Sequence, residues 1–115
     1  MNEEQLVQFE ALIHKACAKH LTDGGTIIYG TFWAQPEEKM ACPIRLATSI
    51  DGLDRSSSYE DTLSSILKFT VSSEEMRQFI RGFDTFYAPP NDEQLLPIFN
   101  LGKKLFDQYS PQQIE

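Results

Sequence analysis

Two apolar runs, Thr26-Ile-Ile-Tyr-Gly-Thr-Phe-Trp-Ala34 and Met40-Ala-Cys-Pro-Ile-Arg-Leu-Ala-Thr48, flank the polar segment Gln35-Pro-Glu-Glu-Lys39. β-Branched and aromatic residues at this density, around a short segment carrying proline, predict a hairpin. In the first run Ile27, Tyr29, Thr31 and Trp33 alternate with Ile28, Gly30, Phe32 and Ala34. Both faces are mostly apolar, which predicts a central strand covered on two sides. In the second run Pro43 has no N–H to give a ladder, so that strand is expected at an edge or bulged.

Helical patterns lie on both sides of these runs. Leu6, Phe9, Ile13, Ala16 or Cys17, and Leu21 recur at three- and four-residue steps, predicting a helix from about Asn2 to Leu21. Glu3, Glu4 and Glu10 come early and Lys15, Lys19 and His20 late, the order the helix dipole prefers. Asp23-Gly-Gly25 supplies a stop. Ser49 to Ser58 reads as loop, with Asp51-Gly52 as a turn. From Tyr59 the pattern predicts a short helical turn and then a third strand at Ile66 to Val71.

Ser72-Ser-Glu-Glu75 is a capping box ahead of Met76, Phe79, Ile80 and Phe83, so a helix begins there, with Gly82 near its fraying end. Phe86-Tyr-Ala-Pro-Pro90 reads as a rigid aromatic connection. Asn91-Asp-Glu-Gln94 is a second capping box before a helix reaching about Tyr109. Pro97 either bends that helix or marks its first turn. Residues 110–115 are expected to fray. The sum is one α+β domain over residues 1–115: a small antiparallel sheet of two or three strands, with an N-terminal helix and two C-terminal helices packed mainly on one face.

A chain of 115 residues with 8 Phe, 4 Tyr and 1 Trp has the material for one core without staples. Cys17 and Cys42 are expected as reduced, buried thiols. With 17 acidic against 10 basic residues the formal charge is −7, which disfavours nucleic acid and anionic membranes and favours a basic protein partner. An acidic N-terminus and the lack of a long apolar run make a cytoplasmic protein the expectation.

Candidate chemistry is sparse. His14, Cys17 and His20 fall at i, i+3 and i+6 on one helix, so the outer two point about 120° apart and do not share one metal ion. Cys42, expected inside a strand, lacks the electropositive setting that activates a thiol. The carboxylate pairs sit at helix starts and turns, where they are solvated. Asp51-Gly-Leu-Asp54 lacks the further oxygens of a calcium loop. No cofactor, metal or catalytic set is therefore expected.

Tyr29, Trp33, Phe83, Phe86 and Tyr87 are the candidate interaction surface, because aromatic side chains dominate interface hot spots. If helices cover one face only, Tyr29 and Trp33 would sit on an open sheet face where a second copy could dock. The function expected from these features is that of a small acidic accessory protein acting through another protein. Two alternatives are an apolar ligand pocket lined by Tyr29, Trp33, Met40, Phe69 and Phe79, and an enzyme using Cys42 or a histidine.

Overall fold

The computed structural model describes residues 1–29, 40–50, 58–85 and 87–113. These are mostly helical, and they overturn the expected antiparallel sheet. Five helices are present among them: α1 (Glu3–Thr22), α2 (Pro43–Thr48), α3 (Tyr59–Leu67), α4 (Ser73–Asp84) and α5 (Leu96–Tyr109). The extended chain amounts to a four-residue strand, β1 (Thr26–Tyr29), and two two-residue segments, β2 (Met40–Ala41) and β3 (Gln112–Gln113). Both segments pair with β1 in parallel: Thr26 opposite Met40 and Ile27 opposite Ala41 on one side, Ile28 opposite Gln112 and Tyr29 opposite Gln113 on the other.

Helix α1 follows its sequence signals closely. The Asn2 side chain accepts from the Gln5 amide at 2.8 Å, and the Gln5 side chain accepts from the Asn2 amide at 3.0 Å. Two otherwise unsatisfied donors are thus met reciprocally. Phe9, Ile13, Ala16 and Cys17 form the buried face. The helix stops at Asp23, followed by Gly24 at φ +84°.

The expected hairpin fails at Pro43. Cys42 is extended, at φ −82° and ψ 160°, and Pro43 opens α2 as its first helical residue. A proline fits that position because its fixed φ is helical and its missing N–H would have had no helical acceptor. Pro43, Ile44 and Ala47 are the buried residues of α2, a three-to-four-residue spacing within a run that also alternates. Residues 30–39, which include most of the first run and the polar segment after it, lie outside the described residues.

A second correction concerns Ile66 to Val71. Helix α3 continues to Leu67 and is ended by Lys68 in the left-handed region at φ 67°. Val71 is buried, yet its N–H goes to the Ser64 hydroxyl at 2.8 Å rather than to a neighbouring strand. A side chain has taken the donor that a ladder would have used.

Helix α4 begins as its capping box dictates, with the Ser72 hydroxyl accepting from Glu75 N and Glu75 Oε1 from Ser72 N, each at 3.1 Å. Gly82 is no fraying end. A Cβ there would lie 2.0 Å from the Phe99 carbonyl oxygen, and one on Gly102 would lie 2.3 Å from the Phe79 carbonyl oxygen. The two glycines let α4 and α5 touch backbone to backbone. Helix α5 starts at Leu96 with Pro97 in its first turn, the second of the two readings its sequence allowed.

Phe79 ties the helices to α1, meeting Phe9 edge to face at 5.1 Å. Phe83 meets Phe106 at 6.0 Å, and Phe106 meets Tyr29 at 4.8 Å, so the aromatic chain reaches β1. Among the described residues no helix is long and apolar enough to cross a membrane.

Candidate functional site

Of the five aromatic residues of the expected surface, the three that are described do not form one patch. Phe83 is 1% exposed and belongs to the core. Tyr29 is half-buried against Phe106, and the antiparallel sheet whose open face was expected to take a second copy is not formed among the described residues. Trp33 and Phe86 lie outside the described residues. Tyr87 remains, 51% exposed.

Tyr87 is held in a definite setting. Helix α4 ends at Asp84, and Thr85, at φ 64°, turns the chain out of the helix. The Arg81 guanidinium then lies over the Tyr87 ring, 5.2 Å from its centroid. A guanidinium over an aromatic face is attracted by the ring quadrupole, worth about 0.5–1 kcal/mol at an exposed site. Arg77, one turn earlier and also exposed, donates to Glu74 at 3.0 Å. The result is an aromatic–guanidinium pair standing in solvent at the end of α4. Arg81 carried no signal as its partner, since the pairing depends on the turn at Thr85.

Both histidines are engaged elsewhere in the fold. His14 Nδ1 lies 2.6 Å from the Tyr109 hydroxyl and its Nε2 lies 3.1 Å from Glu10 Oε2. Glu10 Oε2 also accepts from Lys104 Nζ at 3.0 Å. This carboxylate–imidazole–hydroxyl chain has the outline of a nucleophile relay. Its electrostatics oppose that use. Burial, with the neighbouring Cys17 and Glu10, pushes the Tyr109 phenol up, away from a reactive phenolate. Lys104 holds the Glu10 carboxyl below its usual range and neutralises it, while partial burial pulls the other way. The chain clasps the end of α5 to the middle of α1. Sequence reading left Tyr109 out because it lies 95 residues from His14; the i, i+4 pair of Glu10 and His14 was legible.

The thiols are enclosed and free. Cys42 occupies the N-terminus of α2, a position that usually favours a thiolate. Burial dominates and pushes its pKa up to about 11, against the amides of Arg45 and Ile44. Burial and the neighbouring Cys42 push Cys17 up to about 12. His20 Nε2 donates to the Thr26 carbonyl at 3.0 Å, so the imidazoles are bonded to groups other than the thiols. Among the described residues no three His, Cys, Asp or Glu side chains converge on a point that could hold a metal ion.

The expected apolar pocket does not assemble around its described members either. Phe79 is fully enclosed in the core, Phe69 is partly buried against it, and Trp33 and the Met40 side chain are outside the described residues. Comparison of the chain with known protein families, with curated proteins and with solved structures gives no significant match.

Proposed function

We propose that this chain is a small acidic accessory protein that acts by binding another protein and performs no bond-making of its own. The observation that carries the reading is the Arg81–Tyr87 pair, exposed at the end of α4. Tyrosine and arginine are among the side chains most enriched at interface hot spots. The net charge of −7 adds long-range steering toward a partner with a basic surface. The Tyr87 ring anchors and the surrounding charge guides.

Site-specific photo-crosslinking in the native host tests this. A photoreactive residue at Ala88, exposed beside the intact Tyr87, is expected to trap one protein at near-stoichiometric yield, and the adduct should weaken in a Tyr87→Ala or Arg81→Ala background. The same probe at Gln8, exposed on α1, should trap nothing comparable. Equal, diffuse labelling from both positions would overturn the proposal.

A further inference from the structure

The described residues hold a second feature away from Tyr87. Between the last turn of α1 and the end of α2 lies a cleft of about 150 Å³. This is half the lower limit of about 300 Å³ for ordinary ligand pockets. An occupant must be a molecule of only several heavy atoms.

The chemistry around the cleft is two-signed. Ala16, Leu46 and Ile50 supply its apolar lining, and Lys19, His20 and Asp23 its charged and polar groups. Lys19 and Asp23 are four residues apart on the same stretch of chain, yet they form no ion pair with each other. Lys19 Nζ donates to the Ile50 carbonyl over a long 3.4 Å, leaving two of its three protons for another acceptor. The Asp23 carboxylate has no hydrogen-bond or ion-pair partner among the described residues. It also stands at the carbonyl end of α1, where the helix dipole adds negative potential.

His20 completes the set. Its Nε2 lies 3.0 Å from the Thr26 carbonyl, which can only accept, so Nε2 carries the proton. His20 itself lines the cleft, with Nδ1 the ring nitrogen that this bond leaves over. Gly25 leaves room for the ring, since a Cβ there would come within 2.2 Å of it. A larger residue there would dislodge the imidazole.

We infer that this cleft is a binding site for a small zwitterion, such as a free amino acid with a short apolar side chain. Its carboxylate pairs with Lys19, its ammonium with Asp23, and its side chain lies toward Leu46 and Ile50. Opposite charges held apart on one small cleft match that ligand class better than a plain anion or cation, either of which would leave one protein charge repelled. With so few ligand atoms and exposed charges, the affinity is in the millimolar range.

Two-dimensional NMR of the full chain, titrated with L-alanine and L-valine at low ionic strength, tests the site. Saturable shifts are expected at residues 19–23 and 46–50, with acetate and methylammonium as single-charge controls that do not saturate. Lys19→Gln and Asp23→Asn change exposed side chains, leave the spectrum folded, and should each weaken valine binding about fivefold, the worth of about 1 kcal/mol. Absence of saturable shifts at tens of millimolar, equal binding by both variants, or saturation by acetate alone would each overturn the assignment. None of these outcomes touches the Arg81–Tyr87 surface, so the two proposals fail separately.

Discussion

Helices α4 and α5 and the apolar stretch from Thr26 to Thr48, in its described parts, both contribute to the core, but they were specified differently. At α4 the chain declares its start chemically, through Ser72 and Glu75, and its contact with α5 is set by Gly82 and Gly102. Alternatives to that packing would lose two capped donors or separate two backbones. The stretch from Thr26 to Thr48 offers only apolar density, which strands and buried helices share. There a single Pro43 decides the outcome, turning the second run from a strand into α2. Groups that act on the backbone discriminate between folds where hydrophobicity does not.

The glycine crossing gives the sharpest test of that contrast, because two effects predict opposite signs. On an open helix, glycine to alanine stabilises by about 1 kcal/mol through helix propensity. At Gly82 the new methyl would sit 2.0 Å from the Phe99 carbonyl oxygen, a backbone atom that no rotamer change removes. Gly82→Ala is therefore expected to destabilise by about 3 kcal/mol, at the top of the overpacking range, with Gly102→Ala close behind. Midpoints of urea unfolding measure this directly. A stabilised Gly82→Ala would mean that the helices do not touch there.

Pro43 carries the next largest effect. Its ring is fully buried at the first position of α2. Pro43→Ala should cost about 2 kcal/mol: roughly two methylenes at about 0.8 kcal/mol each, plus part of the unfolded-state entropy that proline removes. At the edge of an antiparallel sheet the same change would restore a ladder donor and be neutral or favourable. The sign of the shift in unfolding midpoint separates the two architectures.

What was legible follows the same division. The span of α1 followed from its apolar spacing and the start of α4 from side-chain chemistry within three residues of the groups it satisfies, whereas the capping box expected at Asn91 to Gln94 did not form and α5 begins at Leu96 with no side-chain cap. The strand expected at Ile66 to Val71 failed because Leu67, Phe69 and Val71 do alternate, while Ser64 removes the Val71 donor from seven residues away. The candidate site was half legible. Tyr87 stood out as an aromatic in a proline-rich connection, but Phe83, three to four residues beyond Phe79 and Ile80, belonged to the buried stripe of α4. Arg81 over Tyr87 and Tyr109 on His14 are consequences of tertiary structure, and no local pattern encodes them.

The smallest expected effect asks how much the declared start of α4 is worth. At Ser72 both bonds of the capping box form at 3.1 Å, whereas Ser58, which starts α3, only accepts from Asp61 N, at 3.3 Å. Removing an N-cap hydroxyl typically costs about 1 kcal/mol. Ser72→Ala should reach that value, since it orphans the Glu75 amide and frees the Glu75 side chain from its reciprocal role. Ser58→Ala should cost about half as much, the longer single bond being readily replaced by water. Equal losses at the two serines would show that the reciprocal bond adds nothing. The certainty with which the sequence announced α4 would then rest on its apolar stripe, the kind of signal that misled at Thr26 to Thr48.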